Sequence, residues 1–123
     1  MKPLKALIIL GHGSKAPEAL EEMRDLAAKL QATMPDATVI PSFLSLSNPS
    51  LPEAIDQAAQ AGSEEIHVLP LFFFSGKHVL EDIPRLIAAA QAKHPGMKLV
   101  LREAAGRHPD FLAFLAQAGG FGG

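Results

Sequence analysis

Two histidines carry the clearest chemical signal in this sequence. His12 stands in Leu10-Gly11-His12-Gly13-Ser14, directly after a short aliphatic run, and His78 ends Ser75-Gly76-Lys77-His78, after a second one. Neutral imidazole is a good ligand for borderline divalent metals, and two of them leave several coordination positions open. A site that must pass its metal on needs such openness. Glycines beside both histidines permit tight turns and close approach of a ligand. Taken singly, each histidine also fits a helix cap or an exposed loop, so the metal reading depends on the fold bringing the two together.

Phe72-Phe73-Phe74 leads into Gly76 and His78, in a chain with seven Phe and no Trp or Tyr. Core packing accounts for at least one of these rings. The sharper reading is that part of the run walls a flat apolar ligand beside the metal. The other histidines read as structural. His67 sits inside an apolar run, His94 at a helix C-terminus where a cation complements the dipole, and His108 just before Pro109.

Several other chemistries are excluded or weak. The Gly11-His12-Gly13-Ser14 turn lacks the Lys-Ser/Thr ending of a phosphate-cradling loop, and it is not the G-x-S-x-G elbow of a serine hydrolase. A strand followed by His-Gly also fits a histidine phosphatase, but that chemistry needs an Arg before the His, where this chain has Gly11. With no Cys, disulfides, thiolate nucleophiles and Cys-based metal sites are impossible.

The elements that must position these residues alternate. Leu4 to Leu10 reads as a strand buried on both faces. From Pro17 to Met34 apolar residues recur at helical spacing, and Pro35 stops the helix. Thr38 to Leu46 reads as an edge strand, because Pro41 cannot donate to a ladder. Ser50-Leu51-Pro52-Glu53 is a capping box opening a helix that Gly62 closes. Ile66 to Phe74 reads as a central strand, whose alternation puts Phe72 and Phe74 on one face and Phe73 on the other. A helix starting between Val79 and Pro84 runs to Lys93, with Asp82 as a candidate cap. Lys98 to Leu101 is the fourth strand and Pro109 to Ala118 the last helix. No internal repeat is evident.

Four strands alternating with four helices predict an α/β fold, a three-layer, doubly wound, four-stranded parallel sheet of flavodoxin-like order 2-1-3-4. That order sets the first and third strands side by side and makes their C-terminal ends the switch point where such sheets bind ligands. His12 and His78 both follow these ends.

The 123 residues are expected to form one domain, 1–118, with a Gly-rich flexible tail at 119–123. A hydrophobic share of 48% and a charged share of 20% are ordinary for a globular chain. The formal net charge of −2 gives no field that would gather nucleic acid or an anionic membrane. The apolar run near the N-terminus is too short for a signal-peptide core or a membrane span, so the cytoplasm is the expected compartment.

Three segments together resemble the short CbiX family, the sirohydrochlorin cobaltochelatases related to nickel- and iron-inserting enzymes. They are Gly11-His12-Gly13-Ser14; Phe43-Leu44 to Pro49-Ser50; and Pro70-Leu71-Phe72 through Gly76-Lys77-His78 to Asp82-Ile83-Pro84. The resemblance covers nearly the whole chain and continues to Arg102-Glu103 and Gly106. The G-x-H-x-x-x-D-I-P block is its specific part. It implies a chelatase fold completed by pairing two chains as a homodimer. Co2+ would be the metal substrate, with Ni2+ or Fe2+ as alternatives, and no organic cofactor is implied. The tetrapyrrole would be of sirohydrochlorin type, in cobalamin-type biosynthesis.

The resemblance makes His12 the metal ligand and proton acceptor and His78 a second ligand. Ser14, Ser45, Phe72, Phe73, Phe74, Ser75, Gly76 and Lys77 would line the substrate. One position departs from the pattern. Many family members carry Glu where this chain has Ser45, and a hydroxyl neither holds a metal nor takes a pyrrole proton as a carboxylate does. Glu81 and Asp82 are the nearby candidates to replace that charge. The departure keeps alive a second reading, a non-catalytic metal or tetrapyrrole carrier of the same fold.

Overall fold

A computed structural model describes residues 4–74 and 76–122, leaving aside the side chains of 77–80. Its elements run β1 (Lys5–Gly11), α1 (Pro17–Thr33), β2 (Ala37–Phe43), α2 (Leu51–Gln60), β3 (Glu65–Pro70), α3 (Lys77–Lys93), β4 (Lys98–Leu101), a short 3-10 turn at Ala105–Arg107 and α4 (Phe111–Ala118). The four strands pair in parallel in the order β2-β1-β3-β4. The expected fold class and strand order are therefore observed, with β2 at an edge, where Pro41 costs no ladder bond on its outer side.

Alternation along the central strands divides the core. Ala6, Ile8, Leu10, Ile66 and Val68 face Leu51, Ala54, Ile55 and Ala58 of α2 and Ile83 and Ala90 of α3 in one buried cluster. The opposite face carries Leu7, Ile9, His67 and Leu69 and receives α1, which packs mainly along β2. Ser50 and Glu53 form the anticipated capping box: the Glu53 N–H donates to Ser50 Oγ at 3.3 Å and the Ser50 N–H to Glu53 Oε1 at 2.9 Å. The Glu53 carboxyl is held below its ordinary value by the backbone and side chain of Ser50.

Three expected boundaries move. β2 ends at Phe43, because beyond it Leu44 and Ser45 hydrogen-bond to Gly11 and His12 while the Phe43 N–H donates to the carbonyl of Pro49. β3 ends at Pro70, so the strand alternation assigned to Phe72, Phe73 and Phe74 does not apply. Helix α3 begins at Lys77, with Gly76 as its N-cap and Pro84 inside it. Proline suits a first helical turn, which is why the sequence pointed to a later start. Asp82 therefore sits within the helix, 3.9 Å from Arg85, and caps nothing.

The sequence also hides a duplication that the structure exposes. Gln31 at the end of α1 donates to the carbonyls of Met34 and Ala37 at 3.1 and 2.7 Å and accepts from the Val39 N–H at 2.8 Å. Gln91 at the end of α3 donates to His94 and Met97 at 3.0 and 2.7 Å and accepts from the Leu99 N–H at 3.2 Å. Each glutamine saturates the turn from helix to following strand, and the two devices lie sixty residues apart without a gap. So do α1 and α3, each 17 residues long. The chain contains two matching β-α-β units, contrary to the absence of a repeat read from the sequence.

Candidate functional site

Three loops meet at the C-terminal ends of β1, β2 and β3. The backbone of β1 continues to be bonded on both sides beyond its last ladder pair. The Leu44 N–H donates to the Gly11 carbonyl at 2.9 Å, the Ser45 N–H to that of His12 at 3.1 Å, and the Leu71 N–H to that of Leu10 at 2.8 Å. His12 is thus held by its main chain between two neighbouring loops while its side chain is exposed.

The turn depends on Gly13. It adopts φ +103°, and a Cβ there would lie 1.7 Å from the carbonyl oxygen of Ser45. Any other residue would collide with backbone as well as adopt the left-handed region. Ser14 is committed to structure: its Oγ accepts from the Ala16 N–H at 3.0 Å, and its backbone exchanges two bonds with the Ser47 hydroxyl at 3.1 and 2.7 Å. The Ser45 hydroxyl donates to the His12 carbonyl at 3.4 Å.

The Phe run divides by burial. Phe72 is 3% exposed and its ring centroid lies 4.1 Å from that of His12, tilted by 32°. Phe73 and Phe74 are 65% and 90% exposed and form a rim. Phe73 stacks on Phe111 at 5.2 Å, and Phe111 on Phe114 at 5.8 Å. The Gly106 N–H donates to the Phe72 carbonyl at 2.9 Å, and a Cβ on Gly106 would come within 2.6 Å of Phe73 backbone. That close approach fastens the segment after β4 onto the Phe loop.

His78 falls in the first turn of α3, so the second histidine is carried by a helix start instead of a strand tip. The side chains of His78 and Lys77 are outside the described part, as is Ser75. Gly76 is exposed at the N-cap. Among the described residues no group of three or more metal-ligating side chains converges. The other histidines are spoken for. His67 Nε2 lies 2.6 Å from Glu65 Oε1, His94 Nε2 lies 2.8 Å from Asp56 Oδ1, and His108 Nδ1 accepts from the Asp110 N–H at 3.1 Å. Hydrogen bonding by His67 holds the Glu65 carboxyl below its usual range. Sequence reasoning did not single out Ser47 or Phe111. The hydroxyl-rich stretch from Ser45 to Ser50 and an aromatic opening the last helix were the available hints.

The CbiX family model matches residues 6–118. The chain belongs to the CbiX family. Relatives of this CbiX chain include the sirohydrochlorin cobaltochelatases of Methanocaldococcus jannaschii, 33% identical over 74% of this chain and 64% of the relative, and of Methanothermobacter thermautotrophicus, 37% identical over 70% and 59%. The match thus spans about six-tenths of the length of these relatives. Among solved structures, a CbiX protein assigned to cobalamin (vitamin B12) biosynthesis from Marinobacter aquaeolei superposes with a TM-score of 0.81 at 28% identity, covering 94% of both chains. The sirohydrochlorin chelatase SirB of Bacillus subtilis subspecies spizizenii, in complex with cobalt, superposes at 0.75 and 26% identity over 82% of this chain and 43% of its own.

Within the CbiX frame, the loop that carries Ser45 lies against the loop that carries His12. Ser45 is exposed and bonded to the His12 backbone, and Glu81 and Asp82 are exposed on α3. No helix among the described residues is long and apolar enough to cross a membrane.

Proposed function

We propose that this chain inserts a divalent metal, Co2+ by preference and Ni2+ or Fe2+ otherwise, into sirohydrochlorin in the cytoplasm during cobalamin-type biosynthesis. The observation that carries this is an exposed imidazole, His12, fixed by its main chain at the junction of three loops and backed on one side by the Phe72 ring. The names of the relatives agree with it.

The metal enters on His12 and His78, with water completing its shell. The macrocycle settles against the aromatic rim of Phe73 and Phe74, apolar face to apolar face. Its carboxylates meet Lys15, Lys77 and the positive N-terminal ends of the α1 and α3 dipoles. Two pyrrole protons must leave as the ion moves to the ring nitrogens. The His12 nitrogen that releases the ion accepts one of them; water accepts the other. A neutral imidazole binds firmly enough to collect the ion and has no charge that would hold it against the ring.

A four-stranded sheet leaves one side of this cleft open to water, and a homodimer that closes it completes the proposal.

Metal-dependent conversion of sirohydrochlorin, followed by absorbance with Co2+, Ni2+ and Fe2+ side by side, tests the reaction. Metallation is expected for the wild type and is lost in His12→Ala and in His78→Ala; an undiminished rate in either variant overturns that residue's assignment. Ser45 favours the second reading, a carrier. A carrier binds metal or tetrapyrrole in a titration and never yields the metallated spectrum.

A further inference from the structure

Among the described residues, Leu46 alone adopts a positive φ without being glycine, at +65°. That left-handed region is open to glycine, tolerated by asparagine and strained for a leucine. The Leu46 side chain is also 65% exposed, as much as that of Phe73. A large apolar group is thus mounted on a backbone that disfavours it and left in water.

The strain has a visible holder. On one side the Ser45 N–H and hydroxyl both donate to the His12 carbonyl, at 3.1 and 3.4 Å. On the other, the Ser47 hydroxyl donates to the Ser14 carbonyl at 2.7 Å and accepts from the Ser14 N–H at 3.1 Å. Leu46 is the crest between two clamps closed on the His12–Ser14 turn, and neither clamp uses its side chain. A residue that takes this φ freely would keep both. Leucine adds only an apolar surface. The loop sixty residues on gives the contrast: the corresponding Gly106 is pressed so close to Phe73 that a Cβ would lie 2.6 Å from its backbone. That loop folds back onto the protein with no side chain, whereas this one presents a leucine.

Strand order fixes where the crest lies. With β1 between β2 and β3, the loops carrying Leu46 and the Phe73–Phe74 rim flank the His12 loop on opposite sides. Two strand spacings, about 10 Å, separate these outer loops, which is the scale of a tetrapyrrole ring.

We infer that Leu46 contacts the substrate, bearing on the apolar face of the tetrapyrrole on the side of His12 away from Phe73 and Phe74. This rests on the sirohydrochlorin reading proposed above and adds a contact to it. A ring supported on the Phe side alone is free to tilt about that edge. A second apolar support holds its nitrogens over an ion on His12.

Two substitutions separate this contact from a structural role. Leu46→Asn suits the backbone better and removes the apolar surface, whereas Leu46→Met keeps that surface. In an absorbance titration of metal-free sirohydrochlorin, Leu46→Asn is expected to bind at least about fivefold more weakly than wild type. Leu46→Met is expected to stay within about twofold. Co2+ affinity without the ring is expected to be the same in all three proteins, and Leu46→Asn to melt no lower than wild type. Wild-type affinity for the ring in Leu46→Asn overturns the inference. So does a Leu46→Asn chain that melts lower and loses Co2+ binding in step with the ring, because Leu46 would then be holding the turn. The titration needs no turnover. A wild type that binds the ring and never metallates it refutes insertion, and the same comparison of variants still decides the Leu46 contact. A wild type that binds no ring overturns both.

Discussion

His12 and Phe72 stand at matching positions of the two β-α-β units, sixty residues apart, and their rings meet at 4.1 Å. The first unit exposes a polar ring at the end of its strand, and the second backs it with an apolar one. Because Phe72 also belongs to the core, its two roles separate by substitution. Phe72→Ala leaves a cavity and costs about 3–5 kcal/mol of stability. Phe72→Leu keeps most of the buried volume, at about 1–2 kcal/mol, but removes the flat surface behind the imidazole. The Leu variant is expected to fold, with a lower melting point, and to metallate sirohydrochlorin several-fold more slowly. Thermal denaturation beside the metallation assay checks this, and a full rate in the Leu variant would show that the ring does not orient His12.

The two glycines flanking His12 have different duties. A Cβ on Gly11 would meet the terminal methyl of Met23 at 2.8 Å, a flexible end that can move, whereas on Gly13 it would meet Ser45 backbone in a positive-φ turn. Gly11→Ala is expected to change stability by less than about 1 kcal/mol. Gly13→Ala is expected to cost about 2 kcal/mol or more and to weaken Co2+ binding with it. Denaturant midpoints and a Co2+ titration on both variants distinguish them; equal behaviour would mean that the turn is not what positions His12.

Much of this was legible because the signals were local and redundant. The strand order followed from alternating elements and from one proline, Pro41, at the edge. The capping box at Ser50 and Glu53 was written in four residues. Two of the three displaced boundaries, the end of β3 and the start of α3, have a common source in the Phe72 to Pro84 stretch. An apolar run continues past Pro70 although the ladder does not, and Pro84 imitates a helix start inside a helix. Period and composition cannot see where hydrogen bonding stops. The duplication escaped because its evidence is a pair of glutamines serving backbone groups, recognisable in sequence only by comparing the chain with itself at an offset of sixty.

Acid stability should report the link between α2 and the end of α3. Lys93 Nζ lies 2.9 Å and His94 Nε2 2.8 Å from the Asp56 carboxylate, and hydrogen bonds from Lys93 and then His94 hold that carboxyl below its ordinary value. A carboxyl depressed in the folded state stabilises above its unfolded pKa and loses that contribution as pH falls through the folded one. The melting point is therefore expected to fall as pH drops below about 4. Asp56→Asn should melt lower at pH 7 and show a shallower acid decline. With the carboxylate 32% exposed, the difference is at most about 1 kcal/mol, a few degrees. Parallel acid declines in the two proteins would remove Asp56 from the account; the residual slope belongs to Glu65 and Glu53, which are depressed in the same direction.

Ser45 is the position where a single substitution should strengthen the metal site. Its N–H and hydroxyl both bond the His12 carbonyl, and the residue is exposed, so a longer side chain has room on the loop that holds the His12 main chain. A carboxylate there adds a hard anionic donor within reach of an ion on His12. It also favours the protonated imidazole, which competes with the metal at low pH. Ser45→Glu is therefore expected to tighten Co2+ binding at least several-fold at pH 8, with a smaller gain at pH 6, and the gain should vanish when combined with His12→Ala. If turnover rises along with affinity, the missing carboxylate is what limits this chain as a chelatase. If affinity rises and turnover stays absent, the carrier reading gains. An unchanged Co2+ affinity would mean that residue 45 does not face the ion, and the compensating charge should then be sought at Glu81, on the exposed side of α3.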